Sequence, residues 1–150
     1  MINKLEPVKA ELRKRLQSAG VKRCLDYPEQ IGNIGNFLPL AMLRSESCEI
    51  ASTANLCMIY EYDITIYVCT QANIEKTKAH EDFIFACMNA IYASSTLNED
   101  NRLGGVANMI VPTNIRFDEG IPFASDMLPQ NAVQTSALSF KITLRDGRYD

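Results

Sequence analysis

Hydrophobic positions change their period several times along the chain, and each change marks an element. Val8, Leu12, Leu16 and Ala19 are spaced four, four and three residues apart, which lines one face of a helix over residues 3–19. Glu11, Arg13, Lys14, Arg15 and Gln17 fill its other face. Pro7 falls in the first turn, where a missing N–H costs little, and Gly20 is a natural C-terminal stop. Val21–Leu25 reads as a short strand, and residues 26–36, with Pro28, Gly32 and Gly35, read as loop. Phe37–Leu43 is a continuous apolar run suited to a buried strand, and Pro39 within it marks an edge or a strand start.

Arg44–Asn55 is polar and small, and reads as a mobile connection or a long hairpin tip. The clearest strand follows. Met58, Tyr60, Tyr62, Ile64, Ile66 and Val68 alternate with Ile59, Glu61, Asp63, Thr65, Tyr67 and Cys69. Asn73–Ser94 has a helical stripe of Phe83, Cys87, Ala90 and Ile91, widened by Ile84, Met88 and Tyr92, as expected of a helix largely covered by a sheet. Leu103-Gly104-Gly105 makes a turn. Ala107, Met109, Val111, Thr113, Ile115 and Phe117 then alternate with polar residues apart from Ile110, and Pro112 makes this an edge strand or a bent one. Asp118-Glu119-Gly120 is read as a turn and 121–131, with Pro122 and Pro129, as a loop. Leu138, Phe140, Ile142 and Leu144 alternate with Ser139, Lys141, Thr143 and Arg145 in a final strand, and Asp146–Asp150 reads as a polar tail.

The order is helix, short strand, strand, long strand, helix, strand, strand. Each strand has one apolar face, so the expected fold is α+β, with a single mainly antiparallel sheet and two helices packed on one face. A chain of 150 residues suits one domain, 1–150.

Composition narrows the function. The formal net charge is −3, which lacks the basic footprint of a nucleic-acid binder. Arg13-Lys14-Arg15 is the one basic cluster singled out, and a solvated helix face accounts for it. Cys24, Cys48, Cys57, Cys69 and Cys87 are odd in number with no Cys-x-x-Cys pair, and His80 is the single histidine. A zinc cage would need an unusual ligand set, so no metal is expected. Cys69 and Cys87 fall in a strand and a helix pattern, where a free cysteine acts as a small buried hydrophobe. Reduced cysteines suit the cytoplasm. No apolar run has the length of a signal peptide or a bilayer span.

Three further features invite chemistry. Glu61 and Asp63 share a strand face, as a metal or acid–base pair must, but nothing nearby completes such a site and a solvated face is favoured. Gly32-Asn33-Ile34-Gly35-Asn36 lacks the Lys-Ser/Thr and the strand-to-helix context of a phosphate loop. His80 has no serine or cysteine beside it in sequence and reads as a polar helix histidine. No cofactor and no catalytic residues are expected, and the chain reads as a protein-binding domain that is not an enzyme.

The element order and its landmarks resemble the tail terminator (tail completion, tail-to-head joining) proteins of long-tailed bacteriophages. The resemblance spans nearly the whole chain. It is carried by the N-terminal amphipathic helix, the Pro-containing run Phe37-Leu38-Pro39-Leu40-Ala41-Met42-Leu43, the strand Tyr60–Val68, the helix Ile74–Ser94, the Leu103-Gly104-Gly105 turn and the strand Ser136–Arg145. It implies a six-membered ring in the virion, assembled in the host cytoplasm, that caps the tail-tube protein, stops tube growth and meets the head connector or a neck protein. A contractile tail would add the sheath as a partner. DNA would pass through the bore without sequence-specific binding. The resemblance supplies no active site and no interface motif.

Interface candidates come from the residues themselves. Two long, polar-rimmed segments without a period of their own, Arg44–Asn55 and Asp118–Asn131, are placed to grip partners. Within them Arg44, Glu46, Glu49, Asp118, Glu119 and Phe123 are the candidate contact residues, and the four carboxylates would repel DNA if they faced a bore. The alternatives are another neck or baseplate adaptor, or a small ligand-binding or enzymatic α+β domain with Tyr60, Tyr62 and His80 lining a pocket.

Overall fold

The computed structural model describes residues 3–27, 37–52, 57–71, 77–92, 103, 106–119 and 133–146. Helix α1 (Leu5–Ala19) buries Val8, Leu12 and Leu16, three of the four positions its period selects. It stops at Gly20, whose φ of 116° is a left-handed conformation that glycine adopts without strain. Strand β1 (Arg23–Asp26) leads through a segment that includes Phe37–Pro39 into β2 (Leu40–Ser52), which starts directly after Pro39. Then follow β3 (Met58–Gln71), helix α2 (Thr77–Ile91), β4 (Met109–Glu119) and β5 (Val133–Asp146). The seven elements and their order agree with the sequence reading.

The strands form one sheet in the order β1-β2-β3-β5-β4. Only β1–β2 is parallel; β2–β3, β3–β5 and β4–β5 are antiparallel. Both helices lie on one face. There Leu12, Leu16, Ile84, Cys87 and Ile91 pack on Leu43, Ile66, Val68, Leu138, Phe140 and Ile142. Leu103 joins this core fully buried. The other face carries a second, smaller cluster at one end: Leu25, Leu40, Met42, Tyr67, Cys69, Val133 and Ala137, with Phe37 and Leu38 against it.

Ion pairs hold the helices in place. Arg13 of α1 pairs with Asp26 of β1, and Lys9 lies 4.0 Å from the same carboxylate. Arg15 bonds Glu11 at 3.0 Å and donates to the Ile91 carbonyl at 3.2 Å, which puts a cation on the C-terminal end of α2. Two members of the Arg13-Lys14-Arg15 cluster are therefore engaged within the fold, and Lys14 is exposed.

Two sequence readings are refined. Of the two readings of Arg44–Asn55, the hairpin holds and the mobile connection does not: Arg44–Ser52 continues β2 and pairs with β3 as far as Ser52–Met58, so a hairpin arm extends the sheet. Asp118 and Glu119 are not a turn but the end of β4, where Glu119 pairs with Thr135. Ser45–Ser52 lacks an apolar period because its side chains are exposed and ladder hydrogen bonds hold it as a strand. Phe123 and the rest of 120–131 lie outside the described residues, as do the 26–36 loop beyond Tyr27, the tip at 53–56 and the tail beyond Asp146.

Candidate interaction surface

The arm and the two sheet edges set the surface. β2 is covered by β1 only along Leu40–Leu43, and the last bond on that side is the Tyr27 N–H to the Leu43 carbonyl, 2.9 Å. Beyond it no described strand pairs with the outer edge of β2, and every residue from Ser45 to Ser52 is exposed. A register shift between Ser45 and Ser47 then resets which side each residue takes. Cys48 and Ile50 fall opposite Tyr62 and Tyr60 on the helix side, whereas Ser47 and Glu49 fall opposite Asp63 and Glu61 on the other.

Arg44 stands at the base of the arm. Its guanidinium lies over the Tyr27 ring at 4.4 Å and pairs with Glu46 at 3.4 Å. Glu46 is also the main reason the Arg44 pKa is raised above its ordinary value. Glu61 and Asp63 behave as a half-exposed strand face. Lys141 approaches Glu61 at 3.9 Å, and Ser47 donates to Asp63 at 3.0 Å. Among the described residues no group of three or more His, Cys, Asp or Glu side chains is placed to hold a metal.

The opposite edge is β4, and Pro112 sits on it as expected of an edge strand. The alternation read from sequence fails here. A register shift between Pro112 and Asn114 inserts one residue, so the inward side changes. Ile110 is fully buried, while Met109 and Val111 turn to the outer face and stand 51% and 42% exposed. Past the shift Ile115 packs against the core, and Phe117 meets Phe85 of α2 with ring centroids 6.4 Å apart. Four of the six large apolar residues exposed among those described, Phe85, Met109, Val111 and Phe117, therefore gather along β4. Sequence alternation singled out three of them but assigned them to the core.

The candidate contact residues do not come together in one copy. Glu49 shares a ladder row with Glu61, and Glu119 shares one with Thr135 and Cys69. Eight residues of β3 separate those rows, about 27 Å of strand. Arg44, Glu46 and Glu49 thus mark one flank of the sheet, and Asp118 and Glu119 the other flank and the other end.

His80 differs from its sequence reading. It heads the buried stripe of α2, with His80, Ile84, Cys87 and Ile91 on one face, and is only 2% exposed. Its Nδ1 lies 2.5 Å from the Thr70 hydroxyl and its Nε2 2.7 Å from the Ser136 hydroxyl, so the ring bridges α2 to β3 and β5. Ser136 is fully buried. Tyr60 and Tyr62 stack on one another with centroids 6.4 Å apart, and the structure does not bring them to His80 as hydrogen-bond partners. Cys69 and Cys87 are buried thiols. Burial pushes the first up to about 11 and the second to about 12, so both stay protonated at neutral pH. No described helix is long and apolar enough to cross a membrane.

The fold is thus a two-helix, five-strand α+β sheet with an arm. No family model and no curated protein matches the chain. Among solved structures it is similar to a chain in the "Virion of native gene transfer agent (GTA) particle", with a TM-score of 0.52 and 12% identity, over 93% of this chain and 95% of that one. At that identity the likeness shows a shared fold.

Proposed function

We propose that this chain is a structural protein of a phage-like virion, and within it the tail terminator: a six-membered ring that caps the tail tube, stops its polymerisation and joins it to the head connector. In this reading it acts by protein contacts and is not an enzyme. The observation that carries the proposal is the end-to-end likeness of fold to a chain of a gene transfer agent virion. The element order that resembles the terminator family supports the finer role.

The geometry is consistent with ring building. A ring requires two different patches on each copy, and this sheet has open edges on opposite flanks. In this reading the tail-tube and connector contacts fall to the two ends of the sheet, leaving its flanks for neighbouring copies. Electron microscopy of particles made without this gene tests the role. Full heads beside detached tails of irregular, excessive length support a terminator, because only a missing cap leaves the tube free to grow. Detached tails of normal length assign the chain to the neck instead, and normal infectious particles end every essential virion reading.

A further inference from the structure

We infer that copies of this chain join by adding the arm of one to the sheet of the next, with Cys48–Ala51 of β2 laid antiparallel against Asn114–Phe117 of the neighbour's β4. This deepens the ring reading and rests on its claim that copies meet side by side.

Strand polarity comes first. β2 and β5 run one way, and β3 and β4 the other. The two open edges of one sheet are therefore antiparallel to each other. Placing copies side by side with their helix faces aligned sets β4 against the neighbour's β2 in an antiparallel ladder.

Hydrogen-bonding direction limits the register to pairings of outward with outward residues, and side-chain complementarity selects among them. The Leu43 carbonyl points outward, toward β1. Alternation carried past the shift at Ser45/Ser47 turns Cys48 and Ile50 outward as well. On the other flank the Thr143 carbonyl accepts from the Asn108 N–H at 3.0 Å, so Thr143 faces β4. Alternation from there directs Asn114 and Arg116 inward to β5 and turns Ile115 and Phe117 outward.

Pairing outward residues with outward residues sets Cys48 against Phe117 and Ile50 against Ile115. Both pairs fall on the helix face, where Ile50, 57% exposed, covers the apolar strip beside Phe85. On the other face the same register opposes Glu49 and Arg116, unlike charges on facing positions. Pairing β4 with itself about this stretch would oppose two Arg116 side chains, and pairing β2 with itself would oppose two Glu49. On β2 the paired stretch stops at Cys48, short of Leu43, the last residue that β1 covers. On β4 it stops at Phe117, where a second register shift, between Arg116 and Glu119, interrupts the ladder with β5.

Disulfide trapping tests this directly. Phe117→Cys places a thiol opposite the native Cys48 at the separation of a cross-strand pair, within reach of a disulfide. Oxidised glutathione, which takes up the two electrons and two protons, should convert the concentrated variant into a ladder of covalent multimers. Wild type and Phe117→Cys/Cys48→Ser should give none. A variant that stays monomeric overturns the proposal, and so does a covalent dimer that survives Cys48→Ser, which would join β4 to another β4 or to Cys24 or Cys57 of the next copy. Sedimentation adds an independent reading. Glu49→Arg and Arg116→Glu should each weaken self-association at least about fivefold, and the double reversal should restore it. If the double reversal stays weak, the assigned register is wrong. Should trapping fail while deletion still yields overlong tails, the terminator role stands and its subunits meet elsewhere.

Discussion

The two halves of the β2–β3 ladder share the same strands and the same pairing but not the same surroundings. In the base, Leu40–Leu43 and Ile64–Cys69 are buried on both faces, one under the helices and the other under the Leu25–Val133 cluster. In the arm, Ser45–Ser52 is exposed throughout, and the facing residues of β3 are half-buried apart from Tyr60 and Ile64. The difference teaches where strand structure comes from. The base is held by apolar burial, with the continuous run of a two-sided core strand. The arm is held by its ladder, so its outer edge remains open to another strand. A sheet that extends past its own core is a surface built for a partner.

The sharpest way to break the base is Phe140→Ala. Phe140 is among the largest side chains buried beneath the helices, at 1% exposure. Truncation removes its transfer energy and leaves a cavity, so urea unfolding should show a loss of about 3–5 kcal/mol. Thiol chemistry draws the same contrast without mutation. At pH 8 the exposed Cys48 should react with a maleimide about a hundredfold or more faster than Cys69 and Cys87, which burial keeps in the unreactive protonated form. Mass mapping after a short pulse checks this; rapid labelling of Cys87 in folded protein would contradict the packing of α2. The sign of the linked pH effect follows. The unfolded thiols ionise first, so the stability from these two groups is intact below about pH 8.5 and falls as pH rises toward 11–12.

The histidine bridge lies next in size. His80→Ala removes one ring that satisfies two hydroxyls, Thr70 and Ser136, and empties its volume. A loss of about 2–3 kcal/mol is expected, and Ser136→Ala, which keeps the ring, should cost less. Chemical denaturation of both variants orders them. Gly20→Ala should cost about 1–2 kcal/mol, because φ of 116° strains any L side chain and the added Cβ would stand 3.3 Å from the Phe83 ring. The same melts would show it.

These sites also mark what the sequence could reveal. Seven elements were legible in order because each has a run of one period: 3.6 in Val8–Leu16, 2 in Met58–Cys69 and Leu138–Leu144. The faces of β4 were not legible. One inserted residue near Thr113 exchanges inside and outside, and nothing in Val111-Pro112-Thr113-Asn114 announces which residue is extra. His80 was misread because its partners lie 10 and 56 residues away, a relation only the sheet creates. The arm was left between a mobile connection and a hairpin tip for the opposite reason: Ser45-Glu46-Ser47-Cys48-Glu49 has no apolar pattern, since its side chains are exposed. Of the candidate contact residues, the sequence placed Glu46 and Glu49 on an exposed segment. The sheet edge on which they lie is a property of strand order.

The smallest expected effect separates a strand held by packing from one held open for a partner. Ile50 is 57% exposed and faces Tyr60 across the ladder. Replacing it with serine removes little buried surface, so the unfolding free energy should stay within about 0.5 kcal/mol of wild type. A larger loss would mean that the arm is stabilised by its own side chains, and the contrast with the base would collapse. The same substitution should nevertheless weaken self-association in sedimentation, because Ile50 loses its apolar contact only where a second copy covers it. A residue neutral for folding but costly for assembly belongs to the joint, and the pairing of those two measurements on one variant is what assigns it there.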